Sequence, residues 1–130
     1  MSNSVVNSVI LCVNEDSASY IKWSLQQYRL PLKITGCARI GGAGKSCESK
    51  GTKVLIVEST AMAEPAISYL TKMRQEHENL KIIMIIPPTI KKEQVVQIIR
   101  ERLVEGMLVQ PYSTEVLWNY LDKIYSYIKS

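Results

Sequence analysis

Lys81-Ile-Ile-Met-Ile-Ile-Pro-Pro88 is the stretch of sequence that decides the fold. An apolar, β-branched run that is ended by two prolines predicts a strand buried on both faces. Two further runs, Ser8-Val-Ile-Leu-Cys-Val13 and Lys53-Val-Leu-Ile-Val57, have the same character. Strands of this kind are typical of parallel sheets that carry helices above and below.

Helical patterns alternate with the apolar strands. We predict helices over residues 16–28, 63–77, 91–105 and 114–128. Asp16 or Ser17 is expected to cap the first helix, and Thr114 the last. We predict two further strands at 32–37 and 107–109. The third helix is expected to turn Val95, Val96, Ile99 and Leu103 inward and to end at Gly106 as its C-terminal cap. This alternation predicts a five-stranded parallel, doubly wound α/β sheet in the order 2-1-3-4-5, a three-layer sandwich.

Length and composition suit one ordinary globular domain. The chain has 130 residues, of which 46% are hydrophobic and 22% charged, and we assign residues 1–130 to a single domain. Its three cysteines form no close pair, so we expect neither a disulfide framework nor a zinc site. We see no signal-peptide pattern and no membrane-spanning run, and expect a cytoplasmic protein.

The segment 40–52 is rich in glycine, so we expect the second helix of the fold to be short or irregular. Its Gly41-Gly-Ala-Gly-Lys-Ser46 resembles the phosphate loop of ParA/MinD-type ATPases. The possible anion-binding residues are Gly42, Gly44, Lys45 and Ser46. Arg39 and Ile40 depart from that motif, and too few residues follow for the helix that it must open. We therefore favour a connecting loop and keep nucleotide or phosphate binding as an alternative.

Acidic residues follow the first and third strands, and a proline follows the fifth. In these landmarks the chain resembles, over nearly its whole length, the response-regulator receiver (CheY-like) family, which has a flavodoxin-like fold. The resemblance implies a site in which an acidic pair and an acceptor aspartate hold Mg²⁺. It also implies a lysine and a hydroxyl side chain that contact the phosphoryl group.

This sequence departs from the family at most of those positions. The acidic pair falls on Asn14 and Glu15, with Asp16 next, and the acceptor falls on Glu58. The hydroxyl position falls on Ile86 and the lysine on Gln110. We therefore expect a pseudo-receiver without the acceptor aspartate. It would have no catalytic residue, no cofactor and at most weak Mg²⁺ binding at Glu15 and Glu58.

Aromatic and adaptable apolar residues gather near the C-terminus. We assign an interaction face to Met107, Tyr112, Trp118 and Tyr125, because such residues are enriched at protein interfaces. The leading hypothesis is a phosphorylation-independent signalling module that binds a protein partner or a second copy. A C-terminal effector domain in a longer protein is compatible with this hypothesis. The alternative is a receiver that still responds to phosphate or Mg²⁺ at Glu58. We expect neither membrane nor nucleic-acid binding, although residues 17–57 carry seven basic side chains against one acidic.

Overall fold

A computed structural model describes residues 7–36, 53–62, 65–77 and 79–126. The strands are β1 (Ser8–Cys12), β2 (Lys33–Gly36), β3 (Lys53–Glu58), β4 (Lys81–Ile86) and β5 (Gly106–Val109). The α-helices are α1 (Glu15–Gln26), α2 (Ala66–Glu76), α3 (Lys92–Arg100) and α4 (Thr114–Ile124). A 3₁₀ turn, Ser59–Ala61, follows β3.

The five strands form one parallel sheet in the order β2-β1-β3-β4-β5, which confirms the predicted fold class and strand order. The three apolar runs of the sequence occupy its centre. Leu11 of β1 lies beside Ile56 of β3, and Ile56 lies beside Ile83 of β4. Since all strands run the same way, the residues that follow β1, β3, β4 and β5 meet at one edge of the sheet.

Alternate residues of each central strand supply two separate cores. Leu55 and Val57 pack with α2 and α3 on one face of the sheet, whereas Val54 and Ile56 pack with α1 and α4 on the other. All four side chains are fully buried. The three-layer sandwich therefore follows from strands that are apolar on both faces.

Helix α3 differs from its prediction in both length and orientation. It ends at Arg100 rather than near residue 105, and the residue it buries completely is Ile98. Val96 and Ile99, which were predicted to face inward, are 40% and 62% exposed. The apolar residues of this helix form two overlapping stripes, and the stripe that contains Ile98 packs on the sheet.

The end of α3 is a left-handed turn built without glycine. Arg102 has φ of 53°, and its N–H donates to the carbonyl of Ile99 at 3.1 Å. The N–H of Leu103 donates to the carbonyl of Ile98, also at 3.1 Å. This pair of bonds is the Schellman motif, which turns Leu103 back into the core beside Ile98.

Gly106, predicted to cap α3, is instead the first residue of β5. A Cβ atom on Gly106 would stand 2.5 Å from the ring of Tyr120 in α4. The glycine is therefore required for the close approach of α4 to the edge strand.

The N-caps of two other helices also differ from the prediction, by one to three residues. Helix α1 begins at Glu15, with Asn14 rather than Asp16 or Ser17 at its N-cap position. Helix α4 is capped by Ser113 rather than Thr114, because the Ser113 hydroxyl accepts the N–H of Val116 at 3.3 Å.

The glycine-rich stretch 40–52, with Gly42, Gly44, Lys45 and Ser46, lies outside the described residues. In the part of the chain that is described, no helix has both the length and the apolar character that crossing a membrane requires.

The turn after α3 gives a prediction about stability. Replacing Arg102 with glycine should raise the free energy of unfolding by about 1 kcal/mol, because a left-handed conformation costs a residue with a Cβ atom roughly that much. The matched substitution Arg100→Gly, inside the helix, should lower it by about 1 kcal/mol. Urea unfolding of both variants measures the difference. Equal destabilisation by the two glycines would contradict this account of the turn.

Candidate functional site

The carboxylate of Glu58 is the centre of a hydrogen-bond network at the carboxyl edge of the sheet. Glu58 is the last residue of β3 and is only 4% exposed. One oxygen, Oε1, accepts the backbone N–H of Asn14 at 2.9 Å. The other, Oε2, accepts the Ser17 hydroxyl at 3.2 Å and the Gln110 amide Nε2 at 3.1 Å. Both oxygens are therefore satisfied, as burial of a carboxylate requires.

Parallel topology places these three donors around Glu58. Asn14 follows β1, the neighbour of β3, and Ser17 lies in the first turn of α1. Gln110 follows β5, and its backbone N–H donates to the carbonyl of Ile86 at 2.9 Å. Its side chain passes over the end of β4 to reach Glu58. Glu58 also lies at the start of α1, where the helix dipole favours a negative charge.

The network contains three of the six pocket residues that were predicted from sequence: Asn14, Glu58 and Gln110. It adds Ser17, whose hydroxyl donates to Glu58. The only feature of the sequence that pointed to Ser17 was its position in the first turn of α1. It also adds Thr60, which accepts a hydrogen bond from Asn14 Nδ2 at 2.8 Å.

The other three predicted pocket residues lie apart from the network. Glu15 and Asp16 are exposed, whereas Ile86 is buried in the core on the α2 and α3 face. Within the described ranges, no group of three or more His, Cys, Asp and Glu residues is placed to hold a metal ion.

A cavity of about 450 Å³ opens beside the network. Asp16, Ser17 and Tyr20 of α1 line one side. The opposite side consists of Pro88 after β4 and of three consecutive residues after β5, Gln110, Pro111 and Tyr112. The hydroxyls of Tyr20 and Thr114 share a hydrogen bond of 2.7 Å, which fixes the Tyr20 ring against α4. The centroids of the Tyr20 and Tyr112 rings lie 5.9 Å apart.

Tyr112 is held in its neutral form at this site. Burial raises the pKa of Tyr112 to about 12, with smaller contributions from the negative charge of Glu58 and from Tyr20. Burial disfavours the charged phenolate, and the nearby carboxylate of Glu58 opposes ionisation further.

Most residues of the predicted interaction face make contacts inside the domain. Tyr125, expected to be exposed, is fully buried and packs against Tyr28 of the segment that follows α1. Trp118 is partly buried, and its Nε1–H donates to the carbonyl of Ser24 in α1 at 2.9 Å. The partly buried Met107 packs against the core. Helix α4 buries a wide face because both the sheet and α1 cover it. The sequence prediction assumed that only one stripe of this helix faces inward.

No protein-family model matches the chain, and no curated protein matches it in sequence. Solved structures do resemble it. The signal receiver domain of an HD domain-containing protein from Pseudomonas fluorescens has a TM-score of 0.78 and 14% identity, with 98% of this chain and 92% of that chain covered. The receiver domain of a Francisella response regulator has a TM-score of 0.75 and 15% identity, with 95% and 99% covered. A proposed pilus assembly protein from Burkholderia thailandensis has a TM-score of 0.70 and 13% identity, with 94% and 99% covered. At these identities the likeness shows a receiver-type fold.

The network gives a prediction that can be tested by substitution. Glu58→Gln should lower the free energy of unfolding by about 1–3 kcal/mol. The three donors around Glu58 bond to two carboxylate oxygens, whereas an amide has only one oxygen that accepts hydrogen bonds. Glu15→Gln, on an exposed carboxylate at the start of α1, should cause a clearly smaller change. Urea unfolding measures both. Equal losses of stability would show that the hydrogen bonds to Glu58 contribute little.

Proposed function

We propose that the chain is a pseudo-receiver of the response-regulator family, a regulatory module that acts by protein–protein contact and without phosphorylation. The observation that carries the proposal is the buried carboxylate of Glu58, whose two oxygens accept three hydrogen bonds. We assign it no catalytic activity.

A phosphoacceptor must present an oxygen to the phosphorus atom of an incoming donor. The Glu58 oxygens are instead directed at the N–H of Asn14, the hydroxyl of Ser17 and the amide of Gln110. Attack on phosphorus would require these bonds to break around a carboxylate that is itself only 4% exposed.

The groups that would respond to a phosphoryl group are replaced by groups without that chemistry. Ile86 stands where the family has a hydroxyl, and its buried side chain has no polar atom to move toward a phosphate. Gln110 stands where the family has a lysine, and its neutral amide is already bonded to Glu58. A charge added at Glu58 would therefore find no cationic partner among these residues.

Known proteins of the same fold give the proposal its biological setting. Two of the similar structures are described as receiver domains, one of them from a response regulator. By analogy, we propose a cytoplasmic signalling role, with the module joined to an effector domain in a longer protein.

The contact surface that we propose differs from the one expected from the sequence. Val96 and Ile99 lie one turn apart on the solvent side of α3 and are the exposed apolar pair of that helix. We propose that this side of α3, rather than Trp118 and Tyr125, mediates self-association, because burying two exposed aliphatic side chains favours an interface.

The central claim is tested by exposing the protein to small phosphodonors. Incubation with acetyl phosphate or beryllofluoride and Mg²⁺ should produce neither a mass increase nor shifts in the amide NMR signals around Glu58. An active receiver domain treated in parallel is the positive control. A modification that appears in the native protein and is lost in Glu58→Gln would refute phosphorylation independence.

The contact surface is tested by sedimentation velocity over a range of concentrations. The native chain should self-associate, and Ile99→Lys should remain monomeric, because a charge would replace an exposed apolar contact. Gln94→Lys adds the same charge at another exposed position of α3 and should behave like the native chain. Monomers at every concentration would refute self-association and restrict the proposal to a different protein partner.

A further inference from the structure

We propose that the cavity beside Glu58 binds a guanidinium group, as carried by an arginine side chain. The inference rests on the proposed function, because it assigns a ligand to the edge of the sheet where a phosphoryl group would otherwise enter. Four features of the cavity support it: the direction of its hydrogen-bonding groups, its charge, its walls and its size.

Two polar side chains of the cavity, Ser17 and Gln110, use donors toward the protein and have acceptors left for a ligand. Ser17 donates its hydroxyl proton to Glu58, and Gln110 donates through Nε2 to the same carboxylate. What remains for a ligand is the Ser17 oxygen, the Gln110 amide oxygen and the exposed carboxylate of Asp16. A guanidinium group carries five N–H donors and no acceptor, so it complements such a lining.

The charges around the cavity also favour a positively charged ligand. None of the described residues that line the cavity is basic, whereas Asp16 is acidic and the carboxylate of Glu58 lies beneath. These charges favour a cation and oppose phosphate.

The walls of the cavity suit a flat cation. Tyr20 and Tyr112 supply aromatic rings, and Pro88 and Pro111 supply apolar surface. Guanidinium stacks on aromatic faces while its N–H groups donate in the plane, a geometry that a compact ammonium group does not share. The hydrogen bond from Tyr20 to Thr114 holds one wall in place before a ligand arrives.

The size of the cavity is adequate for such a side chain. Its volume of about 450 Å³ falls within the range of roughly 300–1,000 Å³ that small-ligand sites occupy. The cavity therefore has room for a guanidinium group with part of its aliphatic stem.

The direct test compares N-acetyl-arginine amide with N-acetyl-citrulline amide, its neutral isostere, by NMR titration of the isotope-labelled chain. The arginine compound should shift the amide signals of residues 16–20 and 110–112. The citrulline compound should bind at least about fivefold more weakly, since it lacks the charge. Equal binding of the two compounds, or shifts of the same signals by inorganic phosphate, would overturn the proposal.

Two neighbouring carboxylates provide matched variants. Asp16→Asn should weaken binding of the arginine compound by up to about fivefold, because Asp16 lines the cavity. Glu15→Gln removes an equal charge from the same helical turn outside the lining, and should leave the affinity within about twofold. Equal effects of the two substitutions would assign the binding to general electrostatic attraction and would refute a defined site.

A last comparison distinguishes the possible sources of the guanidinium group. If a partner protein supplies it, short peptides with a central arginine should bind more tightly than the free amide, and replacing that arginine with citrulline should abolish the gain. If the free amide binds as tightly as every peptide, the ligand is a small molecule. The outcome is independent of phosphorylation, so a failure here leaves the phosphodonor experiment as a separate test of the proposed function.

Discussion

Burial of the central strands on both faces is the constraint on which the rest of this structure depends. Val54 to Val57 are fully buried, and successive side chains enter two different cores. Neither face of such a sheet can be left to solvent, because each would expose a row of aliphatic side chains. The helices must therefore divide between the two faces, and because the strands are parallel, the segments that follow them gather at one edge of the sheet.

Glu58 is the exception within this apolar framework, and its surroundings are arranged to accommodate it. It is the last residue of a strand whose other central positions are aliphatic. A buried carboxylate is tolerated when its lone pairs are occupied, and here the start of α1 contributes two donors and the segment after β5 contributes one. The same group that suggests phosphoryl chemistry in the sequence thus joins the start of α1 to the segment after β5.

The sheet was predictable because its signals are local: each central strand is a short apolar run that is ended by polar residues or proline. The exposed side of α3 was not predictable, because its four aliphatic residues, Val95, Val96, Ile98 and Ile99, allow two different inward faces. The helix is followed by a left-handed turn at Arg102, where the sequence has no glycine to indicate it. At the site, the positions around Glu58 could be named from sequence. Its burial and bonding could not, because they depend on groups 41 to 52 residues away in the chain.

The network around Glu58 also has a consequence for how such a domain can diverge over generations. Aspartate at position 58 would have a shorter side chain, and lysine at position 110 would replace the amide that now bonds to Glu58. The shorter aspartate would draw the carboxylate away from donors that are placed for glutamate, whereas a lysine would still offer a donor to it. Position 58 is therefore coupled to Asn14, Ser17 and Gln110, so that a change there is best tolerated together with a change in a donor, whereas an exposed position such as Glu15 can vary by itself.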